Sequence, residues 1–224
     1  MKIGVISEGH ADRAVISNIL VGITGIDIND IEPLRPIYNL DETDKAILNP
    51  QNFSSWSVVK EECESKELLE GFLAFEGQDF VVIHMDSAES SEYGVNRPNM
   101  PRSDEYCENL RNEIISQINS WFDDETLHDK ILYAIAIEEI DAWLLTIYDK
   151  NKSCSSATPK EKLSRVLRKN GINSTSNYDN YLSLSEDFSK PKKVRKGNFL
   201  SYNCSLNAFC QEVASKVLPN LNNV

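Results

Sequence analysis

The sequence holds no apolar run long enough to span a bilayer. It opens on a short strand pattern, without the long apolar core of a signal peptide, so a cytoplasmic protein away from membranes is the expectation. Cysteine is sparse and odd in number: Cys63, Cys107, Cys154, Cys204 and Cys210, with no C-x-x-C pair. That pattern predicts a reducing compartment, no disulfide framework and no zinc site. There is no G-x-x-x-x-G-K-[ST] phosphate loop, so the chain is not expected to hydrolyse ATP itself. A G-x-S-x-G elbow and a glycine-rich dinucleotide turn are missing too, which removes two further enzyme classes. Positive charge is scarce. With 23 Lys and Arg against 35 Asp and Glu, the formal net charge of −12 argues against a surface that grips nucleic acid broadly. It leaves room for a local basic track.

What is present fits a globular protein able to bury a core: 41% hydrophobic and 26% charged residues over 224 positions. That length suits one large domain, or one domain with an appendage. The most informative stretch is Phe80-Val81-Val82-Ile83-His84-Met85-Asp86-Ser87-Ala88-Glu89. Its apolar, β-branched start is too short for a helix and reads as a buried strand that stops on an acid. Lys2 to Ser7 is a second such strand, stopping on Glu8-Gly9. Ile131 to Ile137 is another, stopping on Glu138-Glu139 with Asp141 in the next turn. If βαβ crossovers make these strands parallel, all three deliver carboxylates to one sheet edge, where ligands collect in open α/β sheets. For Asp86 a bland alternative stands beside this one, because Asp also serves simply to cap loops.

Between the strands, helices are expected after Asp12, over 57–75 with Glu61, Glu62 and Glu64 on a solvated face, and from Ser103 to about Trp121. A second strand is expected within 25–38, bounded by Pro33 and Pro36, and a polar loop over 39–55. The segment 87–102 is a long polar loop, either a lid or a mobile surface. Ile140, Trp143, Leu144 and Ile147 form a stripe expected to pack on the sheet. A basic helix with Lys162, Arg165, Arg168 and Lys169 opens at Thr158-Pro159-Lys160, and 205–218 closes the chain as a helix. The only concentrated basic run is Lys190, Lys192, Lys193, Arg195 and Lys196. It is either a solvated segment, or a phosphate contact with a lysine, Lys192, offsetting charge at the site.

Strand–Glu8–Gly9–helix, with a later strand ending in Asp86, resembles the Toprim (topoisomerase–primase) domain, whose signature is a glutamate after the first strand and Asp-x-Asp after the third. The E-G-x-x-D run Glu8-Gly9-His10-Ala11-Asp12 and Ile140-Asp141-Ala142-Trp143-Leu144-Leu145 are similar to small bacterial Toprim-like proteins. Those are related to the overcoming-lysogenization-defect (OLD) nucleases of phage defence. The resemblance covers roughly residues 1–150, leaving 151–224 as a helical, partly basic extension packed on that domain. It implies a Toprim/Rossmann-like α/β fold with a central, mostly parallel sheet, Mg²⁺-dependent cleavage of DNA or RNA, and a separate ATPase partner. Glu8 then serves as metal ligand or as general acid or base. The second aspartate of the signature is Ala88 here. Three readings stand: Glu89 substitutes, His84 contributes from upstream, or the site is degenerate.

Magnesium prefers hard oxygen ligands and keeps several waters, so a few carboxylates suffice to hold it. One or two such ions, about 4 Å apart when paired, neutralise the attacking and leaving oxygens of a phosphodiester. The expected ligands of Mg²⁺ (or Mn²⁺) are Glu8, Asp86, Glu89 and Asp141, with Glu139 in reserve. His10 and His84 are further candidates, although a strand histidine is more commonly a hydrogen-bonded core residue. Two other classes of function stay open: a catalytically degenerate scaffold that binds a partner protein, and an acidic mimic of nucleic acid.

Overall fold

The apolar runs become four strands: β1 (Lys2–Ile6), β2 (Ile31–Arg35), β3 (Gln78–Asp86) and β4 (Ile131–Ala136). In this computed structural model, which describes residues 1–36, 55–154 and 156–221, the strands form one sheet in the order β2-β1-β3-β4. Every neighbouring pair is parallel, so the chain is an α/β protein, as expected. Parallel neighbours need crossovers. These are α1 (His10–Thr24) between β1 and β2, α2 (Trp56–Ser65) and α3 (Glu67–Leu73) before β3, and α4 (Asp104–Phe122) before β4. The polar loop expected over 39–55 lies, except for Ser55, outside the described residues.

Strand alternation sorts the core into two layers. Ile3, Val5, Val82, Leu132 and Ala134 face α1, whereas Ile6, Val81, Ile83, Met85 and Ile135 face the side of α2, α3 and α4. The chain steps one way from β1 to β2 and the other way from β3 to β4. Right-handed crossovers then require helices on opposite faces, which is what the two layers contain. The reversal falls between β1 and β3. In open α/β sheets the crevice at such a switch point is where ligands bind.

Past β4 come α5 (Asp141–Tyr148), α6 (Pro159–Lys169), α7 (Tyr178–Leu184), α8 (Pro191–Lys196), α9 (Phe199–Tyr202) and α10 (Cys204–Leu221). Leu163, Tyr181, Phe188, Val194, Phe209 and Val213 from this region join the core layer of α1. Trp143 stacks on Phe209 with ring centroids 5.7 Å apart and donates its indole N–H to Ser205. The stripe of α5 thus meets α10 as well as the sheet. α10 also blunts the open edge of β4. The Glu212 carboxylate accepts from Tyr133 N–H at 3.2 Å, and Lys216 donates to the Ile131 carbonyl at 2.8 Å. Side chains thereby take backbone groups that would otherwise template another strand. The other edge strand, β2, carries Pro33, tolerated there because an edge position can spare its N–H.

Three expectations are corrected. The helix over 57–75 is two helices, because Lys66 takes a left-handed φ of 60° between them. Glu62 is buried, not solvated: its carboxylate turns back to accept the amides of Leu68 and Leu69, which open α3. Those amides have no partner within the helix, so a carboxylate at this positive end stabilises it. Finally, Cys154 and Cys204 form a disulfide across 50 residues, overturning the expectation of none.

Two glycines test the packing against intrinsic helix propensity. A Cβ at Gly22 in α1 would overlap the Phe188 carbonyl, whereas at Gly71 in α3 it would meet nothing within 4 Å. Gly71→Ala is expected to stabilise by about 0.5–1 kcal/mol. Gly22→Ala should destabilise by about 1–3 kcal/mol through overpacking. Chemical denaturation of the two variants checks the opposite signs.

Candidate metal site

Glu8 and Asp86 end the two strands that flank the switch point, and their register brings them together. The Glu8 carboxylate accepts the backbone N–H of Asp86 at 2.8 Å. The Asp86 side chain accepts from Ala88 N–H at 2.9 Å, and the Asp86 carbonyl accepts from the Tyr93 hydroxyl at 2.6 Å. Both carboxyls are held well above the usual carboxylate range. Burial is the main cause for each; the charge of Asp86 adds to it at Glu8, and those of Asp12, Glu139 and Glu89 add to it at Asp86. Two half-buried acids at one strand edge disfavour each other's ionised forms.

Asp12 is a third member of this group, and it was not among the expected ligands. It stands in the first turn of α1, where its carboxylate accepts the N–H of Gly9 as a helix cap. Burial, and then the charge of Asp141, push its carboxyl up to about 7. Its signal lay in the run Glu8-Gly9-His10-Ala11-Asp12: one turn of helix after the first strand returns Asp12 to the sheet edge.

Asp141, in the first turn of α5, is buried and accepts from the Tyr181 hydroxyl at 2.7 Å. Burial raises its carboxyl, while Tyr181 and the charge of Lys160 oppose the shift. Glu139 accepts the backbone N–H of Lys160 and so caps α6, where Thr158 makes no side-chain cap. Glu89 acts on Glu8 and Asp86 through its charge. A cleft of about 270 Å³ opens here, lined by Ala88, Glu138, Glu139, Thr158, Pro159 and Lys160.

The lysine at these carboxylates is therefore Lys160, whose charge opposes the shifts of Asp12, Glu139 and Asp141. Lys190, Lys192 and Lys193 are not brought to them. Val194 of α8 packs beside Gly22, roughly 18 Å along α1 from His10 at about 1.5 Å rise per residue. Lys190 pairs with Glu186 and Asp187, and Lys193 with Asp187. The side chains of Arg195 and Lys196 lie outside the described residues. The basic helix that begins at the carboxylates is α6, with Lys160, Lys162, Arg165, Arg168 and Lys169 all exposed.

His84 is buried in β3, and neither ring nitrogen has a hydrogen-bond partner among the described residues, which corrects the expectation of a hydrogen-bonded core histidine. Burial lowers it to about 3, leaving a neutral imidazole. His10 opens α1, half-buried. The loop over 87–102 is tied down. Arg97 holds Glu138 together with the carbonyls of Ser87 and Ala88, and Arg102 also reaches Glu138, at 2.8 Å.

Oxygen donors dominate the group, which suits a hard divalent cation rather than a soft one. No three of these carboxylates lie within 4.8 Å of one another; among the described residues the only potential ligand trio that close is Cys107, Cys154 and Cys204. No family model matches the chain, and neither a curated protein nor a solved structure matches it.

The raised carboxyl of Asp12 has a pH signature. Between its ordinary value of 3.8 and about 7, the folded protein holds a proton that the unfolded chain has released, so stability falls as pH rises through this window. The slope for one such group is at most about 1.4 kcal/mol per pH unit. In metal-free buffer, Asp12→Asn is expected to flatten the decline between pH 4 and 7 and to raise the unfolding midpoint at pH 7. Thermal unfolding across that range measures both, and an unchanged slope would refute the assignment.

Proposed function

We propose that this chain is a Mg²⁺-dependent nuclease with a Toprim-like carboxylate site, cleaving phosphodiesters of DNA or RNA. The observation that carries the reading is the pair Glu8 and Asp86, half-buried and joined at the β1/β3 switch point with Asp12 and Asp141 around them. A cluster of acids that disfavours its own ionisation becomes stable when a divalent cation balances it. Glu8, Asp86, Glu89 and Asp141 are the ligands in this reading, with Asp12 added and Glu139 in reserve. When bound, Mg²⁺ or Mn²⁺ supplies charge neutralisation at the oxygens of the scissile phosphate.

The chain's own residues supply the rest. Lys160 offers a positive charge beside the carboxylates, suited to a phosphate oxygen as negative charge develops there. α6 extends this charge as an exposed basic track, which reconciles a polyanionic substrate with a chain of net charge −12. The pinned loop over 87–102 keeps Asp86 oriented through Tyr93. A role in phage defence beside a separate ATPase rests on the resemblance alone. One observation favours the degenerate-scaffold reading: Ala88 stands where the second signature aspartate is expected, and its N–H occupies an oxygen of Asp86.

The test is cleavage of labelled single- and double-stranded DNA and RNA with Mn²⁺ or Mg²⁺. Glu8→Gln and Asp86→Asn are expected to abolish cleavage. Lys160→Ala should lower it by about 100-fold or more, on the scale of losing one electrostatic stabiliser. Reversing Lys192 and Lys193 to glutamate should leave it unchanged. If the wild type cuts none of these substrates and binds no Mn²⁺, the scaffold reading replaces the nuclease.

A further inference from the structure

Three cysteines that share no sequence motif meet at one point. Cys107 lies in the first turn of α4, Cys154 in the connection from α5 to α6, and Cys204 is the first residue of α10. Their sulfurs all lie within 4.8 Å of one another. Cys154 and Cys204 are bonded, and the Cys107 thiol donates to the Cys154 carbonyl at 3.2 Å. A disulfide uses two sulfurs and leaves the third, buried Cys107, without covalent work.

The surroundings hold the trio in place. Ser153, next to Cys154, donates its N–H to the Tyr202 carbonyl and its hydroxyl to the Ala142 carbonyl. Asn203, next to Cys204, donates to the Ser153 hydroxyl and accepts from Leu206 N–H. Cys107 and Cys204 stand in the first turns of helices of 19 and 18 residues. Burial, and then the charge of Asp104, push the Cys107 thiol up to about 12, so it keeps its proton until a cation displaces it.

We propose that the reduced Cys107–Cys154–Cys204 cluster is a binding site for a thiophilic divalent cation of the zinc class. A dithiol first opens the site: it breaks the Cys154–Cys204 bond, becomes a disulfide itself and leaves two thiols. One Zn²⁺ then displaces three protons from the three thiols. Tetrahedral zinc thiolate sites place sulfurs roughly 3.8 Å apart, given Zn–S bonds of about 2.3 Å. That spacing fits inside the present cluster once the disulfide is open. Cys204 is half-buried, so the fourth position faces solvent and takes water. The expectation of no zinc site came from missing C-x-x-C spacing, whereas here the ligands come from three distant segments.

Cobalt(II) reports on the site because only thiolate ligands give its intense near-ultraviolet charge-transfer band. The full chain, reduced with a phosphine and kept anaerobic, is expected to develop that band to the amplitude of one sulfur-bound Co²⁺ per chain, whatever the carboxylates bind, and to lose it to Zn²⁺. Saturating zinc should also raise the thermal midpoint, since it binds the folded state. Cys107→Ser should weaken cobalt binding and lower the band by about a third or more, while Cys63→Ser and Asp86→Asn keep it. Asp86→Asn separates this site from the carboxylate cluster, so failure of the nuclease reading leaves the result intact. A reduced wild type without the band overturns the proposal, as does equal loss in Cys63→Ser and Cys107→Ser.

Discussion

Parallel pairing of β1 with β3, at the point where the crossovers begin to step the other way across the sheet, is the constraint on which the rest of the structure depends. It sets Ile6 opposite Ile83 and carries both strands to one edge, where Glu8 accepts the amide of Asp86. Everything charged at that edge is arranged around this contact. α1 starts there and brings Asp12; β4 ends there and brings Glu139 and Asp141. Burial then makes the ionised forms expensive, and it is this tension that the proposed cation relieves.

The C-terminal helices are part of the same arrangement. α6 is capped by Glu139, so the acid that closes β4 also fixes the first basic helix and its Lys160. Tyr181 of α7 fixes Asp141 from the other side. α10 seals the edge of β4 and stacks on α5 through Phe209. The residues after 150 thus position two of the site's side chains.

Much of this was legible in the sequence because strands of an α/β sheet are short apolar runs, and an acid directly after such a run is hard to misplace. β1, β3, β4, α1 and α4 follow from periodicity and caps alone. What was hidden depended on contacts between distant residues. Glu62 looked like one acid among three on a solvated face, because its partners, the amides of Leu68 and Leu69, belong to the next helix. Lys66 broke the helix without glycine or proline to mark it. Lys160 reaches the site through a connection with no motif, whereas the denser basic run at 190–196 packs at the far end of α1. The cysteines were read from spacing, which says nothing about three sulfurs brought together by the termini of two helices and a loop.

The central claim is that the carboxylates at the β1/β3 switch point form a divalent-cation site. A crystal structure of the protein soaked in Mn²⁺, with anomalous scattering to locate the ion, tests it most directly. The account predicts an anomalous peak bonded to oxygens of Glu8 and Asp86, at least one further acid among Asp12, Glu89 and Asp141 within reach, and waters completing the shell. Well-ordered carboxylates with no peak among them, still joined only by the bond from Asp86 N–H to Glu8, would contradict it.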